Sequence, residues 1–242
     1  MTIRSAMILA AGLGTRLRPI TETLPKPLVP VGGRPLIAYS LEAARAAGID
    51  NIVANVHYRA DQLETWLKQS GFDVGISDER EALLDSGGGL RHALPQLGSD
   101  PFLVLNADTF WLEDPAAART NLDRLMTAFD RERMEMLLMT ARPQQATGHD
   151  GAGDFSVDQD GRLARSRSAD AVIYAGALIL DPRCLQGDRP QKFSLNLCFD
   201  EAIDRGTLFG MPMAGQWLTV GTPDAIPEAE AAMQNFCRQT GA

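Results

Sequence analysis

Two cations stand beside turns, one glycine-rich and one bounded by prolines. Arg16 closes the run Ala10-Ala11-Gly12-Leu13-Gly14-Thr15-Arg16, and Lys26 lies between two prolines in Pro25-Lys26-Pro27-Leu28. Small residues let backbone N–H groups approach an oxyanion, and a strand followed by such a turn is where α/β sheets bind phosphate. With proline on either side Lys26 cannot lie inside a helix, so a stiff loop carries its ammonium. Asp108 ends the triplet Asn106-Ala107-Asp108 directly after the buried run Pro101 to Leu105, at the carboxyl end of a strand. The carboxyl end of a strand is where an open α/β sheet places its ligand crevice. Backbone donors, two positioned cations and a carboxylate describe polyphosphate chemistry.

Two common phosphate motifs are excluded. The dinucleotide fingerprint GxGxxG fails because Leu17 stands where the third glycine belongs, and the Walker pattern GxxxxGK[ST] does not occur. Charge agrees with a small anionic ligand and not with nucleic acid. The chain is acidic, with net charge −8, yet its first 34 residues hold Arg4, Arg16, Arg18, Lys26 and Arg34 against Glu22 alone. The three histidines, His57, His92 and His149, share no metal-ligand spacing, and three scattered cysteines make neither a disulfide framework nor a zinc site. The longest apolar run, Ala171 to Leu180, is too short to span a membrane, and Arg16 and Arg18 interrupt anything resembling a secretory leader. The expectation is a cytoplasmic protein, a monomer or small homo-oligomer.

The elements that must position these residues follow from periodicity. Thr2 to Ala10 reads as a buried strand, and a helix starts at Pro35, with Ile37, Leu41 and Ala44 on one face and Gly48 past its end. Ile52 to Val56 is a second strand, and Asp61 with Glu64 forms a capping box for a helix ending near Gly71. Phe72 to Ser77 is a third strand, residues 86 to 94 are a glycine loop entering a helix, and Pro101 to Leu105 is a fourth strand. This alternation predicts an α/β fold: a mostly parallel, doubly wound, Rossmann-like sheet with helices on both faces and a mixed second half. After Met134 strands dominate, at Met136 to Thr140, Asp154 to Asp158, Arg162 to Ser166 and Ala171 to Leu180, with a hairpin turn at Asp160-Gly161. Helices at Cys198 to Arg205 and Pro223 to Phe236 flank the segment Trp217 to Val220. With no linker or repeat, residues 1–242 are expected to form one domain, its nucleotide-binding half at 1–110 and a second-substrate half at 111–242.

The motifs resemble those of the sugar-1-phosphate nucleotidyltransferases. That family opens with LAAGxGTRxxPxT and, after a gap, PKxLxPVxGxPL; here the chain reads LAAGLGTRLRPIT and PKPLVPVGGRPL. The acidic residue before Gly87-Gly88-Gly89, the Asn106-Ala107-Asp108 triplet, Gly153-Asp154-Phe155 and Trp217-Leu218-Thr219-Val220-Gly221-Thr222 continue the resemblance, nearest to a branch of short uridylyltransferases. The resemblance implies a GT-A-like fold, Mg²⁺ as cofactor, and transfer of a uridylyl group from UTP to an amino-sugar 1-phosphate of peptidoglycan recycling, with release of pyrophosphate. It places Ala10, Ala11, Gly12, Gly14, Thr15, Arg16, Gly87, Gly88 and Asn106 on the nucleotide. Lys26, Gly153, Asp154, Tyr174 and Asn196 fall on the sugar phosphate, with Arg16, Lys26 and Asp108 as the catalytic group.

Three positions keep two readings. Asp154 is either a strand-edge carboxylate or a sugar contact, Asp108 could cap the following segment, and Trp217 fits packing better than ligand contact. The chain departs from the family at Thr219, where many relatives carry a second metal-binding aspartate, and Asp108 is left as the expected carboxylate on the ion. The alternatives are a guanylyl- or thymidylyltransferase acting on heptose, mannose or glucose 1-phosphate, and a catalytically weak nucleotide-sugar-binding regulator.

Overall fold

A computed structural model describes residues 2–240; positions 1, 241 and 242, the ends of the expected domain, lie outside the described residues. In chain order it contains β1 (Ser5–Leu9), β2 (Pro30–Val31), β3 (Arg34–Pro35), α1 (Leu36–Ala46), β4 (Asn51–Val56), α2 (Ala60–Gln69) and β5 (Gly75–Asp78). There follow α3 (Asp85–Leu97), β6 (Phe102–Asn106), β7 (Thr109–Leu112), α4 (Asn121–Ala128), β8 (Met136–Ala141) and β9 (Ala146–Thr147). The remainder is β10 (Phe155–Val157), β11 (Leu163–Arg165), β12 (Ile173–Leu180), α5 (Leu195–Asp204), β13 (Leu208–Pro212), β14 (Gln216–Thr219) and α6 (Ala225–Thr240).

Seven strands form the central sheet in the order β13-β8-β12-β6-β1-β4-β5, so both halves of the sequence contribute to one sheet. The pairs β5–β4, β4–β1, β1–β6 and β13–β8 are parallel, and β12 alone runs antiparallel to both of its neighbours. Alternation assigns the two faces. Ala6 and Ile8 of β1, with Leu103 and Leu105 of β6, pack with Ile37, Leu41, Leu63, Leu67 and Leu122 of α1, α2 and α4. Met7, Phe102 and Val104 point the other way and meet Leu90 and Ala93 of α3 and Cys198 and Phe199 of α5. The sheet is doubly wound and mixed in its second half, as the sequence pattern predicts.

Three local expectations change. Asp61 and Glu64 do not cap α2, whose first turn has no side-chain cap; both carboxylates instead pair with Arg80, which also holds Asp78 at the end of β5. An arginine shared by three carboxylates outweighs one capping hydrogen bond on an exposed helix end. The glycine triplet is not a loop before α3 but lies within its first turns. The third change is that β7, α4 and β13 form where the sequence pattern gives no element. β7 pairs antiparallel with β14, placing Thr219 opposite Thr109 and so bringing the late Trp217–Thr222 block beside Asp108. A third apolar cluster, including Leu17, Val29, Val31, Phe110, Leu218 and Val220, locks the opening loops onto this hairpin.

Candidate functional site

The carboxyl ends of β1, β4, β5 and β6 open on one cavity of about 480 Å³. This is where an open α/β sheet places a ligand, because the strands end there and successive loops diverge. Ala10, Ala11, Gly12, Lys26, Asn106 and Asp108 line it. Gly12 has no neighbour near the position a Cβ would take, so its backbone faces open space. Gly14 adopts φ +63, and a Cβ there would come within 2.9 Å of Thr21 Cγ2 and 3.0 Å of Lys26 Cβ, so only glycine fits the turn. Thr21 Oγ1 donates to the Gly14 carbonyl at 2.8 Å, and the short helical turn Thr15–Leu17 follows. Arg16 is exposed, and its guanidinium lies over Gly221 of the late block.

Lys26 sits in a 3-10 turn started by Pro25, with Pro27 and Leu28 buried beneath it. Its Nζ lies 2.6 Å from Asp108 Oδ2, joining two residues 82 positions apart in the chain. Asp108 is held from the other side by its backbone: Val220 N–H donates to the Asp108 carbonyl at 3.0 Å, and Ala107 N–H to the Leu9 carbonyl at 3.1 Å. Ser40 Oγ of α1 donates to the Asn106 carbonyl, which fixes the end of β6 against a helix. The cation and carboxylate are therefore carried by anchored loops, and they meet at the cavity wall.

The expected base-side glycines occupy a different setting. Gly87 and Gly88 are buried, and both N–H groups donate to the Phe193 carbonyl at 3.0 Å, so in this conformation those donors are already engaged. Asp85, Ser86 and Lys192 line the cavity beside them. Of the expected sugar-phosphate residues, Gly153, Asp154, Tyr174 and Asn196 do not line the cavity with Lys26. Asp154 Oδ2 accepts the Tyr174 N–H at 2.9 Å, and Asn196 Oδ1, at the start of α5, accepts from Arg165 at 2.8 Å. The Tyr174 ring meets Phe199 edge-on at 5.7 Å, and its hydroxyl is buried without a partner among the described residues. Burial, then the nearby Asp108 charge, push that phenol well above its ordinary range. Trp217 is buried in the core, as the packing reading has it.

Asn55 and Glu79 line the cavity, and no motif singles them out. Their signal is positional: each stands at or just past the carboxyl end of a parallel strand, β4 or β5, and each is a polar residue at an otherwise buried position.

The donor set fits a hard divalent ion held mainly by its substrate. Asp108 lines the cavity, the backbone of Thr219 pairs with that of neighbouring Thr109, and no group of three or more acidic, histidine or cysteine side chains gathers among the described residues. Mg²⁺ is commonly bound by one or two carboxylates with phosphates and water completing the shell, so one aspartate suffices for an ion that arrives on a triphosphate.

A mostly parallel sheet with a glycine turn after its first strand, and a lysine–aspartate pair across its carboxyl edge, is the arrangement of an α/β nucleotide-handling protein. The chain belongs to the family of MobA-like NTP transferase domains, whose pattern matches residues 6–176. An N-acetylmuramate alpha-1-phosphate uridylyltransferase from Caulobacter vibrioides is 38% identical over 236 residues, covering 94% of this chain and 96% of its own. A mannose-1-phosphate guanyltransferase from Aspergillus oryzae is 47% identical over 232 residues, covering 90% of this chain but 61% of its own. In fold, the chain superposes on a UDP-glucose pyrophosphorylase from Acinetobacter baumanii with TM-score 0.77 at 19% identity, covering 99% and 100% of the two chains. No helix among the described residues is long and apolar enough to cross a membrane.

Proposed function

We propose that this protein transfers a uridylyl group from UTP to N-acetylmuramate α-1-phosphate, forming the UDP-sugar and pyrophosphate with Mg²⁺ as cofactor. The observation that carries the reading is the Lys26–Asp108 pair at 2.6 Å on the wall of a cavity also lined by Ala10, Ala11 and Gly12. The near end-to-end match with the Caulobacter uridylyltransferase supports the choice of base and sugar. In the reaction an oxygen of the sugar phosphate bonds to the α-phosphorus, the bond to the bridging oxygen breaks, and pyrophosphate carries away the electron pair. Two polyanions must be brought together, so the protein's contribution is position and positive charge.

The open backbone at Gly12 receives phosphate oxygens, and Arg16, exposed beside the late block, reaches the leaving pyrophosphate. Lys26 exchanges its contact with Asp108 for the α-phosphate and the incoming phosphate, where negative charge builds up. Its short proline-bounded loop limits how far it must move, so little reorganisation is needed at the moment of reaction. Asp108, with the Thr219 hydroxyl, would hold Mg²⁺, which when bound neutralises charge on the phosphates. Asp154, Tyr174 and Asn196 lie off the cavity and would meet the sugar only where it extends past the Lys26–Asp108 wall.

A grid of UTP, GTP, ATP and dTTP against N-acetylmuramate, mannose and glucose 1-phosphates, read by pyrophosphate release, tests the proposal. UTP with N-acetylmuramate α-1-phosphate should give the largest kcat/KM. The identity to the Aspergillus guanyltransferase favours one second reading, a guanylyltransferase, for which GTP with mannose 1-phosphate would lead the grid. Nucleotide binding with no pyrophosphate release from any pair would instead indicate a binding protein.

A further inference from the structure

Asn55 and Glu79 form a buried relay between two arms of the cavity. The Ala10 N–H, at the start of the phosphate turn, donates to Asn55 Oδ1 at 2.6 Å. Asn55 Nδ2 donates to Glu79 Oε1 at 2.7 Å, and Glu79 Oε2 accepts the Leu84 N–H at 3.0 Å, just before the glycine-rich start of α3. The amide orientation is fixed by this logic, because the Ala10 N–H demands an oxygen and the carboxylate demands a donor. Asn55 is 3% and Glu79 2% exposed, and α3 approaches so closely that a Cβ on Gly89 would lie 2.6 Å from Glu79 Oε1 and 2.9 Å from Asn55 Nδ2. The Glu79 backbone is pinned as well: its N–H donates to the Val56 carbonyl, and its carbonyl meets His57 Nδ1 at 2.7 Å.

Packing alone does not require this. A buried carboxylate between two strand ends costs desolvation unless its hydrogen bonds are met, and apolar side chains of similar volume would fill the space without that cost. What apolar residues cannot do is fix the Ala10 N–H and the Leu84 N–H relative to one another. We infer that Asn55 and Glu79 are positioning residues that hold the phosphate turn and the base-side segment of the nucleotide site in a single register. The inference rests on the nucleotidyltransferase reading, in which the turn at residues 10–16 takes the triphosphate and Gly87 and Gly88, just after Leu84, approach the base. The relay sets affinity for the nucleoside triphosphate and leaves the sugar phosphate unaffected.

The donor–acceptor pattern supplies the test. In Glu79→Gln one end of the new amide must present a donor to the Asn55 amide or to the Leu84 N–H, and one link is lost. In Asn55→Asp two carboxylates face each other. The double substitution reverses the middle link and restores all three: the carboxylate introduced at position 55 accepts from the Ala10 N–H and from the amide introduced at position 79, whose oxygen accepts from the Leu84 N–H. UTP dissociation constants by calorimetry, melting temperatures, and KM for each substrate are measured on the wild type, both single variants and the double variant. Each single variant should bind UTP about 10-fold or more weakly, as loss of a buried hydrogen bond implies, with KM for the sugar phosphate unchanged. The double variant should return to within about threefold of wild type. Folded single variants with wild-type UTP affinity overturn the inference, as does a folded double variant no tighter than the weaker single one. If the single variants do not fold, the double variant decides: UTP affinity within about threefold of wild type upholds the relay, and anything weaker overturns it. A wild-type protein that binds no nucleoside triphosphate removes the underlying reading, an outcome distinct from either.

Discussion

Replacing Lys26 by Met should move two measurable quantities in opposite directions. The substitution keeps most of the aliphatic stem against the turn but deletes the ammonium that lies 2.6 Å from Asp108 Oδ2. At that separation the Coulomb attraction is about 6 kcal/mol at an effective dielectric constant of about 20, and about 1.6 kcal/mol in water. The Lys26 side chain is 12% exposed and that of Asp108 34%, so solvent screening and the cost of desolvating the lysine leave a net of about 1–2 kcal/mol. A divalent cation binding Asp108 in the nucleotide-free protein must displace the lysine and give up that amount. Lys26→Met should therefore tighten Mn²⁺ binding without nucleotide by roughly 5- to 30-fold, read by electron paramagnetic resonance of free Mn²⁺. Turnover with saturating substrates should fall by a factor on the order of 10² to 10⁴, because the same charge acts on the reacting phosphates. Arg16→Ala serves as the control: it removes a cation from the same surface but should leave Mn²⁺ binding unchanged. Unchanged or weaker Mn²⁺ binding in folded Lys26→Met would refute the competition between lysine and metal at Asp108.

Asp108→Asn should lose most Mg²⁺-dependent pyrophosphate release while its thermal transition falls by only a few degrees, from loss of the ion pair with Lys26, since the amide keeps the shape and the backbone anchors but not the charge. Thr219→Asp adds a carboxylate on the strand paired with Thr109, the neighbour of Asp108, and should lower the Mg²⁺ concentration for half-maximal rate at saturating UTP; an unchanged or higher requirement would place residue 219 away from the ion. Tyr174→Phe removes a buried hydroxyl without a partner and should stabilise the protein by about 1 kcal/mol at about pH 7, measured by urea unfolding. Because the folded protein holds the Tyr174 proton above the ordinary value of 10.0, the unfolded chain releases its proton first as pH rises. The wild type should then lose stability above about pH 10, and the phenylalanine variant should lose less over the same interval.

Local sequence carries the parts of this site that local chemistry dictates. The prolines around Lys26 set its turn whatever surrounds them, Gly14 meets a backbone requirement of its own turn, and the alternation of Ala6, Met7 and Ile8 assigns two faces to β1. The strand ends are legible in the same way, which puts Asp108 just past the carboxyl end of β6. Which partner each polar group takes was decided by contacts distant in the chain. Asp61 and Glu64 have the spacing of a helix cap and were drawn to Arg80 once β5 brought its guanidinium near. Gly87 and Gly88 carry donors suited to a ligand, yet the segment before α5 placed the Phe193 carbonyl within reach of both. Asn55 is a single polar letter near the end of an apolar strand and Glu79 is one letter of the polar run Ser77 to Glu81, with no motif around either. They became a relay only when parallel pairing of β1, β4 and β5 aligned their ends, because a hydrogen bond depends on separation and angle in space, and spacing along a chain fixes neither across a sheet.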